Sequence, residues 1–295
     1  MPVLEVAKLF SASIENSTGN VLKLTGKEPV YQVINIEGLN PPAAQINTST
    51  IVGLDGAVFN SSKLQTRNLV LTVKINGDVE RNRLNLYIYF RTKEWCRFYY
   101  SNGSLDVSIE GYVDTVECNL FTNAEIAQIS IVCPYPYFRS IYEVSQDFSN
   151  VLEKFVFPFS INIDEPVVIS EIDDSGIVKI FNSSEAETGF VMYVNFLDSA
   201  SSLEIINTFT GDDFKVTYSF LENDSLIIDT NKGRKSINLI RSGAVTNLFS
   251  ALQTGSIFLQ LLPGINTFNY KVSGSVENDD DVRILLKYYN IFRGV

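Results

Sequence analysis

The chain has 295 residues, 45% of them hydrophobic and 19% charged, a composition that suits one large globular domain or two ordinary ones. Its 23 Lys and Arg against 34 Asp and Glu leave a formal net charge of -11, which argues against binding a phosphate backbone through clustered cations. Histidine is absent, so Ser-His-Asp and Cys-His nucleophile systems are excluded with it.

In chain order, residues 1–20, MPVLEVAKLFSASIENSTGN, hold neither a basic start nor an apolar run of signal-peptide length. No stretch approaches the roughly 18 consecutive apolar residues of a membrane-spanning helix, and synthesis in a cytoplasm is expected. Strand signals then dominate. In NLVLTVKING, 68–77, Leu69, Leu71, Val73 and Ile75 alternate with Val70, Thr72 and Lys74, and Gly77-Asp78 ends the run as a turn. RNRLNLYIYFRTKEW, 81–95, is ambiguous. Leu84, Leu86, Ile88 and Phe90 alternate as on a strand, whereas Leu84, Tyr87, Ile88 and Arg91 fall at helical spacing. SLDVSIEGYVDTVECNLF, 104–121, and AEIAQISIVCPYPYF, 124–138, read as two more strands, the second stopped by Pro134 and Pro136.

The texture changes after residue 139. Residues 140–165 have mixed polarity and no period, and read as a linker or bridging segment between an N-terminal domain, 1–139, and a C-terminal domain, 166–295. The second region supplies VVISEI, GIVKIFN, GFVMYVNF, SLEIINTFTGDDFKVTYSF, SLIIDT, RKSINLI, TFNYKVSGSV and DVRILLKYYNIF. Short strands at roughly 8–12-residue spacing, with Gly- and Asn-containing turns at 211–213 and 231–233, predict a sandwich or jelly-roll-like domain. SGAVTNLFSALQTG, 242–255, reads as one short helix or a long loop.

Carboxylate pairs are the route to acid–base chemistry that remains. Asp173/Asp174, Asp212/Asp213 and Asp279 to Asp281 are the candidates. Neighbours on a strand face opposite sides, and all three groups sit among turn residues, so solvated acids are the simplest reading, ahead of a weak calcium site or catalysis. Cys96, Cys118 and Cys133 match no metal-ligand spacing and read as buried small hydrophobes. Lys232, Arg234 and Lys235 form the densest basic cluster and read as a solvated turn. No catalytic, metal or cofactor-binding residue is therefore expected. Tyr99, Tyr100, Tyr135, Tyr137, Tyr288 and Tyr289 are candidates for interfaces, with ordinary strand packing as the competing reading. The loops at 40–50 and 76–83 are candidate contact elements or simply solvated.

The ordered set of segments resembles the distal tail protein family of tailed bacteriophages. STIVGLDGAVFNSSKLQTRNLVLTVKING, 49–77, looks like that family's Gly-containing turn and then an Arg, here Arg67, ahead of a long alternating strand. DVERNRLNLYIYF, 78–90, is similar to the family's following helix, which favours helix for the ambiguous stretch. ISIVCPYPYFRS, 129–140, resembles the strand with its Pro-Tyr closing signature. Later, GFVMYVNF, LEIINTFTGDDFKV, DSLIIDTNKGRKSINL and LLPGINTFNY resemble the second domain's run of hairpins.

The resemblance implies a mostly β chain. An N-terminal, ring-forming, split-barrel-like β domain with one helix would continue the tail tube, and a C-terminal galectin-like β-sandwich would project outward. It also implies a structural, non-enzymatic role in a homohexameric ring at the virion tail tip, assembled in the bacterial host cytoplasm. The ring would join tail tube protein and tape-measure protein to a tail-associated hub protein and receptor-binding proteins. Neither nucleic-acid sequence recognition nor membrane insertion is expected. A carbohydrate-binding accessory module of a phage tail or a phage-derived bacteriocin is the alternative.

Overall fold

The computed structural model describes residues 10–27, 29–53, 55–119, 125–147, 151–153, 170–172, 177–274 and 282–295. The chain divides into two compact units, Met1–Tyr142 with Ile291–Val295, and Glu143–Asn290.

The first unit starts with β1 (Ser11–Asn16), β2 (Val21–Lys23) and β3 (Tyr31–Glu37), then the hairpin β4 (Ala44–Ser49) and β5 (Val58–Leu64). After it come β6 (Arg67–Ile75), the helix α1 (Val79–Tyr89), β7 (Trp95–Ser101), β8 (Asp106–Cys118), β9 (Ile126–Cys133) and β10 (Phe138–Ser140). The main sheet runs β2-β1-β7-β8-β9-β6-β3, with β10 beside β8. The period-two pattern of 68–77 has the expected outcome: Leu69, Leu71, Val73 and Ile75 are buried, and Lys74 is exposed. Leu69 stands opposite Ile131 and Leu71 opposite Ile129, both also buried. Each such side chain contributes about 1.5–3 kcal/mol of hydrophobic stabilisation. Phe98, Val107, Ile109 and Val113 extend the same core.

One residue links the two ends of this sheet. Leu24, fully buried, donates its N–H to Ala12 O at 2.9 Å, and its own carbonyl accepts from Val33 N–H at 3.0 Å. A single residue bridging β1 and β3 is not a strand ladder, so the sheet does not close into a barrel.

The ambiguous stretch is a helix. Asp78 caps it, its carboxylate accepting from Arg81 N–H at 3.3 Å, a contact type worth about 1 kcal/mol. The Asn82 side chain donates to Asn76 O at 2.7 Å, and Tyr31 Oη donates to Asn82 O at 2.8 Å, which tie the first turn to the sheet. The apolar residues then divide: Leu86 and Phe90 are buried, while Leu84 and Ile88 face solvent. Residues 76–83, read as a loop, are thus the helix's entrance and first turn. Among the described residues, no helix is long and apolar enough to cross a membrane.

The second unit holds β11 (Val144–Asp147), the pair β12 (Val151–Glu153) and β13 (Ser170–Ile172), β14 (Ile177–Asn182), β15 (Phe190–Phe196), β16 (Ala200–Asn207), β17 (Asp213–Phe220) and β18 (Ser225–Asp229). It continues with β19 (Ser236–Arg241), β20 (Ala244–Asn247), β21 (Gly264–Gly274) and β22 (Val282–Tyr288). Two sheets, β11-β22-β15-β18-β19-β20 and β14-β21-β16-β17, share one apolar cluster. Phe190, Met192, Val194 and Phe196 reach it from one sheet, and Ile180, Leu203, Val216 and Phe268 from the other, which makes a sandwich. Phe196 and Phe220 stack with ring centroids 4.2 Å apart.

The two punctuated stretches of the sequence are structural. At 224–240, β18 and β19 pair from Ser225↔Ile240 to Asp229↔Ser236, and Gly233 takes a positive φ of 84° in the turn. Asp229 Oδ1 accepts from Asn231 N–H at 2.8 Å to start that turn, and the Thr230 hydroxyl accepts from Phe190 N–H at 2.9 Å. At 258–270, Phe258, Leu259 and Leu261 are buried before Gly264 turns the chain into β21.

Three stretches lie differently from the sequence reading. Residues 144–147, read as linker, form β11 and pair with β22 from Val144↔Tyr288 to Asp147↔Leu285; residues 148–150 and 154–165 of the bridging segment lie outside the described residues. Residues 242–255 form neither a regular α-helix nor a plain loop. They make β20, a short 3-10 turn at Phe249–Ala251, and a cover over β17, where Gln253 N–H donates to Lys215 O at 2.9 Å and Ile257 N–H to Asp213 O at 2.8 Å. Ile291–Val295, expected in the C-terminal domain, return to the first unit. There β23 (Ile291–Phe292) pairs with β10 through Phe138↔Phe292 and Arg139↔Ile291, because Ile291 and Phe138 are buried in that unit.

Candidate assembly surfaces

The hairpin β4–β5 in the first unit buries almost nothing. Its strands pair from Ala44↔Leu64 to Ser49↔Val58, yet only Leu64 of its paired residues is even partly buried. AQINTS and VFNSSKL place Ser, Asn, Gln and Lys on both faces, so neither face is a core face. Ile46 and Phe59 are nonetheless 63% and 62% exposed, and Val58, Ile51 and Val52 are also open to solvent. A two-stranded ribbon with no third strand is marginal alone, so its geometry depends on the root that holds it.

Arg67 builds that root. Buried at the start of β6, its Nε donates to Pro136 O at 2.9 Å, Nη1 to Asn40 O at 2.6 Å and also to Gly38 O, and Nη2 to Arg293 O. The guanidinium lies 4.5 Å from the Phe138 ring centroid. Its fork thus holds the chain before the hairpin, the Pro-Tyr turn and the returning C-terminal segment together. Burial pushes its pKa below the usual arginine range. Gly38, φ 88°, is required here, since a Cβ at that position would stand 2.2 Å from Asn68 O. Below the hairpin, Gln65 N–H donates to Ala43 O at 2.9 Å.

The outer face of β1, β7 and β8 carries a half-buried polar chain. Tyr99 Oη donates to Glu15 Oε2 at 2.6 Å, Arg97 Nη1 approaches Tyr99 Oη at 3.4 Å, and Arg97 Nη2 and Arg139 Nη2 both donate to Glu110 Oε1, at 2.7 and 3.1 Å. Cross-strand register brings them together, with Glu15 opposite Arg97 and Arg97 opposite Glu110.

The candidate tyrosines separate by environment. Tyr100 stacks between Phe10 and Phe98, with centroids at 6.2 and 6.5 Å. Tyr135, exposed, lies 5.1 Å from Tyr137. Tyr288 is buried and its hydroxyl donates to Phe181 O at 3.0 Å, so it packs and does not face a partner; Tyr289 is half-buried.

Asp212 and Asp213 sit at the β16–β17 turn, where Asp212 N–H donates to Thr210 Oγ1 at 3.3 Å and Asp212 O accepts from Asn207 N–H at 2.9 Å. Asp173, Asp174 and Asp279 to Asp281 lie outside the described residues. Among the described residues, no group of three or more Cys, Asp or Glu could hold a metal ion. Cys96 and Cys133 are buried, and burial pushes both thiols up to about 12; Cys118 is half-buried. In the basic turn, Lys232 pairs with Glu187, and Lys235 Nζ lies 5.1 Å from the Phe258 ring.

The sequence names residues 40–50 as a loop and candidate contact element, and 44–49 within it are the first strand of the exposed arm. Its signal was available in the two polar, Ser- and Asn-rich runs around the Gly turn, whose alternation assigns no apolar face.

Comparison with known proteins agrees with this architecture. Residues 183–285 match the family described as siphovirus-type tail component, C-terminal domain. The crystal structure of the Dit protein of SPP1, described as a paradigm of the hub adsorption apparatus in phages infecting Gram-positive hosts, superposes with a TM-score of 0.69 at 16% identity, covering 95% of this chain and 99% of that one. Chains of the phage P2 baseplate in its activated conformation, with Ca and with Sr, give TM-scores of 0.52 and 0.51, each at 10% identity. They cover 96% and 95% of this chain and 98% of theirs. No curated protein matches the chain in sequence. Residues 183–285 are thus similar to siphovirus-type tail components, and the chain as a whole is mostly β with the fold of the Dit protein.

Proposed function

We propose that the chain is a structural, non-enzymatic component of the phage tail tip whose first unit assembles into a closed homohexameric ring. The ring joins the tail tube and the end of the tape-measure protein to a tail-associated hub and to receptor-binding parts, and it assembles in the host cytoplasm.

The observation that carries this reading is the β4–β5 arm. It presents Ile46, Val58 and Phe59 to solvent from a ribbon with no core of its own, on a root fixed by Arg67. Burying one such side chain against a neighbour contributes about 1.5–3 kcal/mol, so the arm gains most from a second copy. An arm that reaches onto a different patch of the next copy makes a heterologous contact, which generates a ring when the rotation closes. Leu84 and Ile88 on α1 are apolar and open in the same unit.

The test is the mass of the purified chain by light scattering, with negative-stain images of the same peak. A mass near six chains with ring-shaped particles is expected, alone or with tail tube protein added. A stable monomer at high concentration that stays monomeric with tail tube protein would overturn the ring. A second unit devoted to sugar binding is not favoured, since Tyr288, one of its candidate tyrosines, is spent on packing.

A further inference from the structure

We propose that the first unit carries a binding site for a neutral sugar, in a cleft on the outer face of its sheet. The cleft has a volume of about 420 Å3 and is lined by Ser11, Ser13, Tyr99, Ser101, Asp106 and Tyr142, with Val21, Tyr100 and Ile141 completing its wall. That volume falls in the range of small-molecule sites, roughly 300–1,000 Å3, and is ample for one or two hexose rings. This site goes beyond the tail-ring reading and does not depend on it.

Cross-strand register makes the polar wall. Ser11 is opposite Ser101, Ser13 opposite Tyr99, and Ser101 opposite Asp106, so these residues of β1, β7 and β8 project to one face. Each serine hydroxyl both donates and accepts, and the Asp106 carboxylate accepts only. That is the complement of a ligand rich in hydroxyls, each of which must give one hydrogen bond and can receive others. Among the described residues, neither Lys nor Arg lines the cleft, and the Asp106 carboxylate repels anions, as does the chain's net charge of -11. Phosphorylated and acidic sugars therefore have no counter-charge here.

The aromatic wall is held in place before any ligand arrives. Tyr99 is fixed through its hydroxyl to Glu15, at 2.6 Å, while the neighbouring Tyr100 ring packs on the core side of β7 with Phe98 and anchors the strand from behind. Ile141 N–H donates to Asp106 O at 3.0 Å, and Ser140 Oγ donates to Tyr142 O at 2.8 Å, which pins the rim that carries Tyr142. Tyr142 is 72% exposed. A flat ring that contributes so little to the core is available to the apolar face of a pyranose, and preorganisation lowers the ordering cost of binding.

Saturation-transfer NMR on the full chain tests this, with methyl glucoside, methyl galactoside and N-acetylglucosamine as probes and glucose 6-phosphate as the charged control. Transfer to at least one neutral sugar is expected. Affinity should fall about tenfold in Tyr142→Ala and in Asp106→Asn, the loss of one good contact, and hold in Tyr135→Ala, an exposed tyrosine outside the cleft. Both cleft positions are exposed, and far-ultraviolet circular dichroism of each variant confirms the intact fold. No transfer from any neutral sugar, equal or stronger transfer to the phosphate, or binding that survives both cleft substitutions overturns the proposal.

Discussion

Asp224 is almost wholly removed from solvent, yet both its oxygens are engaged by Arg241, Oδ1 by Nε at 2.9 Å and Oδ2 by Nη2 at 2.6 Å. Leu221 N–H adds a bond to Oδ2 at 2.8 Å. The Arg241 hydrogen bonds hold the carboxyl below the usual aspartate range, against burial, which raises it. A folded-state pKa below the unfolded one adds stability that is present above the unfolded value, about 3.9, and is lost as pH falls through the folded value. Asp224→Asn should therefore lower the thermal midpoint at neutral pH, and its gap to the parent should shrink as pH drops below about 4. Thermal scans across that range check it, and a gap independent of pH would contradict the pairing. Arg67 differs, since backbone carbonyls and not a carboxylate receive its charge, so its role is to hold strands and not to balance an ion.

The hairpin β4–β5 shows how an element can be ordered by its root and still contribute little to the unit that bears it. Replacing residues 44–64 with a short Gly-Ser turn removes little buried apolar area, so the unfolding midpoint should stay within about 2 °C. The same variant should lose the ring-sized species in light scattering, and a large fall in the midpoint would show instead that the arm packs inside its own unit. Legibility also divides at this scale. β6 was readable because its one buried face writes period two directly into Leu69, Leu71, Val73 and Ile75. The stretch at 79–89 is not readable from period alone, since Leu84 and Ile88 fit either pattern, and the cap at Asp78 settles it locally. The 242–255 stretch was misread because its order comes from covering β17, a contact that no local pattern announces. The cleft was hidden for the same reason: Ser11, Ser101 and Asp106 meet only through register between strands far apart in sequence.

At the scale of the molecule, the chain leaves the first unit after Tyr142 and comes back at Ile291. The first crossing lies close to the change of texture after residue 139, but the second carries no composition signal, and the pairing of Phe138 with Phe292 joins positions no periodicity relates, so the sequence alone assigns the last residues to the C-terminal domain. The returning segment is integral to the first unit, for Ile291 is buried, Arg67 donates to Arg293 O, and Val295 N–H donates to Leu39 O at 3.1 Å. Deleting residues 291–295 should cost that unit about 3 kcal/mol, chiefly through the lost Ile291, and lower its calorimetric transition while that of the second unit stays. Combined with Arg67→Lys, which cannot reproduce the fork, the loss should be smaller than the sum of the two, because both act on the same carbonyl. Additive losses would show that the fork and the returning strand are independent.

That return imposes an order of events on synthesis. β10 leaves the ribosome early, but its partner β23 follows only after the whole second unit has been translated, and closing so long a loop has a modest entropic cost that rises only slowly with length. A nascent chain therefore carries an unfinished first unit, with the Arg67 fork short of one carbonyl, for as long as the sandwich is being made. The unit begun first is thus the one completed last, and its closing strand pair forms only after the residues of the second unit have been made.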